Sequence, residues 1–278
     1  MAVLLALCSA LAYGLSDFVG GVLARRTSAW SVAVVGQTSS FFCIGALAFL
    51  VDGDPAAVHF AWALVAGVGG GCGAGFLYRG FASGRMAVVA PVSAVGAAVV
   101  PVLVGAVAGE RPSPLVWLGI AVALPGIWLV SSTPGTAAEP GSVAAGVVDG
   151  ALAGLGFGVL FAALGQVPES AGWWPLTVSQ AMTVPAVVLL ATGLRAPWVP
   201  RGRSVRWAVL MGPLGAGATG SFLLAAQQGY LSVAGVIASL YPASTVLLAA
   251  LVLHEKVHRT QGVGLALCGV AIACVAGG

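Results

Sequence analysis

The chain reads as an all-α polytopic membrane protein whose ten transmembrane helices form two inverted five-helix repeats. Two observations predict the class. Of 278 residues, 59% are hydrophobic and only 7% are charged, with a mean hydropathy of +1.05, whereas soluble domains carry about 25% charged residues. Apolar runs long enough to cross a bilayer, about 20 residues each, recur from end to end. A third observation predicts the duplication. When the sequence is laid over itself so that Trp62 meets Trp207, Gly67, Gly70 and Gly75 meet Gly212, Gly215 and Gly220, and Glu110 meets Glu255. Coincidences among common apolar residues carry little weight; the in-register Trp and Glu carry the argument.

The apolar spans run in order over 2–23, 30–51, 60–82, 86–108, 113–131, 145–166, 173–194, 205–228, 231–253 and 260–277. The first follows Met1 with no positively charged leader, so it is expected to be retained as a helix rather than cleaved. Connections such as Ser83-Gly84-Arg85 and Gly229-Tyr230 are so short that sequential spans must run antiparallel as hairpins. One linker differs: Ser132–Ser142 carries Pro134-Gly135 and Pro140-Gly141, which stop a helix. It divides the chain into a first repeat over 1–131, a linker over 132–144 and a second repeat over 145–278. In the first two helices of each repeat, Tyr13-Gly14 answers to Phe157-Gly158 and Trp30…Gln37 to Trp173…Gln180. An odd number of helices per copy reverses its direction through the membrane. That is the inverted construction of many secondary transporters.

Charge patterning predicts sidedness. Arg25, Arg26, Arg85, Arg195, Arg201, Arg203, Arg206, Lys256 and Arg259 flank odd-to-even connections, and Arg79 leans the same way; only Arg111 lies opposite, while the second connection carries Asp52 and Asp54. The positive-inside rule then places the arginine-bearing loops in the cytoplasm and both termini outside. The net charge of +3 sits in loops and helix ends, so it is no nucleic-acid signal. Cys8, Cys43, Cys72, Cys268 and Cys274 form no CxxC pair and read as small packing residues.

Several polar groups inside the spans could line a substrate cavity. Asp17 is read as the only acid deep in an apolar run, too short to reach the interface; such acids face a cavity or a partner. Tyr13, Ser16, Gln37, Trp173, Gln180, Gln227, Gln228, Ser239, Tyr241 and Ser244 are candidates for the same cavity. Pro91 and Pro101 in the fourth span and Pro242 in the ninth are expected to break these two repeat-related helices and open a cavity between them, as Pro125, Pro185 and Pro213 would kink theirs. Four-residue glycine spacing at Gly67, Gly71 and Gly75, and at Gly150, Gly154 and Gly158, predicts closely packed helices.

His254-Glu255-Lys256-Val257-His258 spells H-E-x-x-H, which on a helix offers two imidazoles to zinc with the Glu as general base. A membrane metalloprotease is therefore the rival from another class, and a non-transporting membrane scaffold is the third reading. The repeat argues against it, because Gly109-Glu110-Arg111 keeps the Glu and has no histidine. No metal site or cofactor is expected, and no G-x-x-x-x-G-K-[ST] occurs to bind ATP.

On the aromatic-Gly pairs Tyr13-Gly14 and Phe157-Gly158, the segments Gly109-Glu110-Arg111 and His254-Glu255-Lys256, and the following Gly119 and Gly264, the chain resembles EamA-type members of the drug/metabolite transporter superfamily. The resemblance implies a ten-helix transporter with a central cavity that exports or exchanges small metabolites, amino acids or drugs. It also implies cytoplasmic termini, opposite to the charge bias. The expectation is a multi-pass protein of the plasma (inner) membrane with no enzymatic activity. Its partners are the lipid bilayer, a small-molecule substrate and protons as candidate coupling ion. A monomer and a homodimer both fit.

Overall fold

The computed structural model describes residues 1–83, 86–131, 140–252 and 257–278. Among these, α1 (Ala2–Ala24), α2 (Ala29–Ala48), α3 (Ala57–Ala82), α4 (Met86–Val107) and α5 (Pro114–Ser131) make the first repeat. The second contains α6 (Pro140–Leu164), α7 (Trp174–Gly193), α8 (Met211–Gln228), α9 (Leu231–Ala238), α10 (Tyr241–Val252) and α11 (Arg259–Gly277). Among the described residues, ten spans are long and apolar enough to cross a bilayer. In hydrocarbon no water can satisfy a free N–H or C=O, so an isolated apolar segment must close its hydrogen bonds within itself, as a helix.

Two spans depart from one continuous α-helix. The eighth opens with a 3₁₀ stretch, Ser204–Leu210, before α8. The ninth divides into α9 and α10, because Pro242 lacks an N–H and its ring would crowd the Ala238 carbonyl. The expectation that the fourth span is also broken is wrong: α4 runs unbroken through Pro91 and Pro101. Its prolines are accommodated by neighbours, the Pro101 ring seating directly on Gly235 of α9. The sixth helix begins at Pro140 rather than 145, with proline at its first position, where a missing N–H costs nothing.

Sequential helices pack weakly on each other and strongly across the repeats. The close pairs are α3 with α6 and α7, α4 with α6 and α9, α1 with α8 and α10, α2 with α7 and α8, and α5 with α11. The two halves therefore interlock, and neither buries its own core alone. Glycine makes the approach possible. A Cβ on Gly156 would lie 2.6 Å from Gly69 O and Gly73 N, and one on Gly71 2.7 Å from Thr183 O. Gly154 and Gly158 similarly meet Ser93 O and Gly96 O of α4. The repeat survives in three dimensions: Trp30 lies on Gly75 and Trp173 on Gly220, and Gly14 meets Tyr241 O as Gly158 meets Gly96 O. Leu4, Leu11, Phe42, Leu103, Leu155, Leu189 and Leu251 are exposed, as a lipid-facing surface requires.

The loops sort by face. Gly229 abuts Ala2, Gly278 abuts Ser113, and Gly53 abuts Gly172, which puts both termini and the even-to-odd loops on one side. On the other, the Ser28 hydroxyl donates to Pro197 O and the Ser31 hydroxyl to Val199 O at 3.2 Å. This is the arginine-rich face.

Gly156→Ala forces a methyl against the backbone of α3 and is expected to cost about 1–3 kcal/mol. Gly217→Ala, whose added methyl meets nothing within 4 Å, is expected to stay within about 0.5 kcal/mol. Thermal unfolding of the detergent-purified variants measures both; equal midpoints would refute the close-packing account.

Candidate functional site

Residues of α1, α2, α3, α6, α7, α8 and α10 enclose a cavity of about 50 Å³ between the repeats. A water needs roughly 10–15 Å³ on this measure, so there is room for a few. The wall is built from repeat-equivalent positions: Tyr13 with Phe157, Ser16 with Leu160, Asp17 with Phe161, Gln37 with Gln180, Ser40 with Thr183, Gly70 with Gly215 and Ala74 with Thr219. The cavity thus sits where the two copies face each other. Its chemistry is not duplicated. On the α1 side stand Ser16 and Asp17; their counterparts on α6 are Leu160 and Phe161.

Two polar groupings organise the wall. The Tyr78 hydroxyl donates to Asp17 Oδ1 at 3.3 Å, and the Tyr241 and Ser93 hydroxyls lie 3.3 Å apart. Across the cavity, Gln180 Nε2 donates to Ser40 Oγ at 2.6 Å and to Thr219 Oγ1 at 3.3 Å, joining α7, α2 and α8. Aromatic rings fill the rest: Tyr13 lies 5.8 Å from Phe161 edge-on and 6.4 Å from Tyr241, and Phe161 stacks on Phe222 at 4.4 Å. The Tyr13 hydroxyl is buried with no protein hydrogen-bond partner among the described residues. The described lining includes one carboxylate and no Lys, Arg or His.

Of the residues singled out from the sequence, Tyr13, Ser16, Asp17, Gln37, Gln180 and Tyr241 meet on this wall. The others stand outside it. Trp173 packs on Gly220, Gln227 donates to Val167 O at 3.1 Å, and Gln228 is exposed at the end of α8. Ser239 turns back on Gly235 O at 2.7 Å, and Ser244 presses on Gly14. Pro91, Pro101 and Pro242 do not line it either, and α4 contributes none of its wall. The break in the ninth span brings Tyr241 to the cavity, whereas the prolines of α4 serve packing. Ser40, Tyr78, Thr183, Thr219 and Met211 line it and were not anticipated; the duplication was the available signal, since Thr183 and Thr219 answer to Ser40 and Ala74.

Asp17 is not the only acid within the spans. Asp149 of α6 is 2% exposed and pairs with Arg79 of α3, which is 30% exposed. Arg79 Nε donates to Asp149 Oδ1 at 3.0 Å, with a second bond from a terminal guanidinium nitrogen, and the guanidinium lies 4.6 Å from the Phe76 ring centroid. A carboxylate this buried requires such a partner.

A second charged contact crosses the repeats at the opposite end. Glu110 receives Leu231 N at 2.5 Å and Ser232 N at 3.1 Å, capping the start of α9. A carboxylate there satisfies two orphan donors and meets the positive end of the helix dipole. Gly109, at φ +85°, turns the chain after α4, and Gly105 leaves the space the carboxylate occupies, since a Cβ there would lie 2.3 Å from Glu110 Oε2. The repeat partner Glu255, with His254 and Lys256 of the H-E-x-x-H segment, lies outside the described residues.

This architecture, an interlocked pair of inverted helical halves around a polar cavity, defines the chain as a polytopic membrane transporter when joined to its family. The sequence model of the EamA-like transporter family matches residues 1–132 and 144–277. The chain belongs to that family and to the drug/metabolite transporter superfamily containing it. No curated protein matches the chain. A solved structure described only as "Crystal structure of protein" superposes with a TM-score of 0.75 over 98% of this chain and 95% of that one, at 17% identity, which shows a shared fold.

Glu110→Ala strands the Leu231 and Ser232 donors and is expected to destabilise the protein by about 1–2 kcal/mol. Unfolding in detergent checks it; an unchanged midpoint would show that the cap contributes nothing.

Proposed function

We propose that this protein is a secondary transporter of the plasma membrane that exports or exchanges a small solute by alternating access, with Asp17 carrying the coupling proton. The observation that supports this reading best is the cavity built from equivalent positions of two inverted copies. A carboxylate is costly inside a bilayer and is kept there for ion, proton or substrate handling. With only about 50 Å³ free, a solute enters when helices part on one face or the other.

The polar contacts at the two ends give that motion its latches. To open the arginine-rich face, α3 and α6 must separate and release Arg79 from Asp149. To open the termini face, α4 must leave α9 and withdraw Glu110 from its donors. Each latch joins one repeat to the other, so each state keeps one and loses its opposite. Inverted repeats produce this alternation by rocking one assembly against the other around a fixed site.

Cysteine accessibility tests the motion without knowledge of the solute. In a protein whose five native cysteines are replaced, Ser16→Cys is expected to react with a membrane-impermeant thiol reagent from both faces. Asp149→Asn should speed labelling from the arginine-rich face, and Glu110→Gln from the termini face. Labelling confined to one face in every variant would sink alternating access. For proton coupling, the expected outcome is that Asp17→Asn abolishes the pH dependence of reconstituted transport; an unchanged pH profile would remove Asp17 from that role.

A further inference from the structure

We infer that a groove on the outer side of α2 is a binding site for one phospholipid with an anionic headgroup. Its acyl chain lies along α2, and Arg203 and Arg206 hold its phosphate. The groove has a volume of about 630 Å³ and shares no lining residue with the central cavity, so the inference stands apart from the transport reading.

The groove is long and apolar. Val35, Thr38, Phe42 and Ala46 line it, at the three- and four-residue spacing that shares one helix face. From Val34 to Ala46 the lining extends about 18 Å along the axis, a little more than the roughly 15 Å of hydrocarbon in one leaflet. Val209, at the end of the 3₁₀ stretch Ser204–Leu210, forms the opposite wall. Pro200 closes the end toward the arginine-rich face, next to the Val199 carbonyl that binds Ser31. The hydroxyls on the wall are spent on backbone: Thr38 donates to Val34 O at 2.7 Å and Ser39 to Val209 O at 2.9 Å. What the groove offers a guest is therefore mostly hydrocarbon.

The charge at its outer end names the headgroup. A 3₁₀ helix has three residues per turn, so side chains at i and i+3 eclipse. Arg203, which caps the stretch in a helical conformation (φ −77°, ψ −32°), therefore stands in one row with Arg206 and Val209. Val209 lines the groove, and the two arginines follow it outward by about 6 Å per turn. Trp207, exposed beside Arg206, marks the depth of the headgroups, where indole rings concentrate. Neither arginine pairs with a carboxylate among the described residues, and residues 194–210 hold four arginines and no Asp or Glu. A guanidinium presents a fork of donors that takes phosphate bidentately. A zwitterionic lipid would set its own ammonium against this row, and a second copy of the chain would bring up its own arginines. A comparable groove of about 510 Å³ between α3 and α6 lacks the headgroup half of the site: Arg79, which covers its lining residue Phe76, is already engaged by Asp149.

The test titrates dioleoylphosphatidylglycerol, dioleoylphosphatidylcholine and the short-chain dihexanoylphosphatidylglycerol against the full-length protein, stripped of lipid in detergent. The unfolding midpoint is the readout, since a ligand of the folded state raises it. The expected result is a saturable rise with dioleoylphosphatidylglycerol. The choline lipid should bind about tenfold more weakly for want of net charge, and the short-chain lipid more weakly still for want of buried methylenes. Arg203→Gln combined with Arg206→Gln should weaken dioleoylphosphatidylglycerol by about tenfold or more. Arg259→Gln removes a charge from the same face at the start of α11, which packs on α5, and should leave affinity within about twofold. Ala46→Trp obstructs the chain and should weaken the dioleoyl lipid while sparing the dihexanoyl one. All four positions are exposed, so the variants fold. The proposal is overturned if the choline lipid binds as tightly as the glycerol lipid, or if Arg259→Gln weakens binding as much as the double variant does. It is equally overturned if Ala46→Trp changes nothing. A particle mass that doubles with no lipid retained, read by native mass spectrometry, would assign the groove to a second copy and overturn it too.

Discussion

The bundle depends on backbone meeting backbone between α3 and α6. Lipid tails are as apolar as the side chains they touch, so helices here gain no hydrophobic drive from burying a leucine against a neighbour. What holds them is close dispersion contact, and that requires residues without side chains where axes cross. Gly69, Gly73 and Gly156 supply it across the repeats, as Gly71 does against α7. Because the tightest contacts join different halves, the halves cannot be separate domains docked through a soft interface. The cavity is then a residue of packing, a place on the axis where larger polar and aromatic side chains keep the helices from closing further.

In the proposed cycle, the same interlocking would let small movements change access. Sequential helices touch each other little, so each hairpin can shift with its partner from the other repeat. The Arg79–Asp149 pair and the Glu110 cap are directional contacts superimposed on this smooth packing. A glycine seam tolerates sliding, whereas a charged hydrogen bond is either made or broken. Continuous motion in the seam thereby becomes a choice between discrete states.

Much of this was legible from the sequence, and what was not has identifiable reasons. Apolar run length located the spans, because bilayer thickness imposes it. The register of Trp62 with Trp207 exposed the duplication, and the pairing of Gln37 with Gln180 followed them both to the cavity wall. Proline was a poorer guide: whether it breaks a helix depends on what covers the freed carbonyl, and Pro101 and Pro242 differ in their neighbours rather than in themselves. Asp149 escaped notice because the apolar span as read from the sequence began only at 145, which put it near an end, and its partner Arg79 is distant in sequence. Ser40 and Thr219 escaped because hydroxyls are ordinary in membrane helices, and only the rotation of each helix tells which of them faces inward.

The substitution of Phe161 for a second aspartate has a thermodynamic consequence. If the two copies were identical, the state open to one face and the state open to the other would be related by symmetry and equal in free energy, leaving the empty protein evenly divided. Any resting preference must come from positions where the copies disagree. Those nearest the cavity include an acid against a phenyl ring and a serine against a leucine, and farther out an unbroken α4 stands against a divided ninth span. Under the proposed alternating access, the bias of the idle molecule would be set by the mismatches of its own duplication.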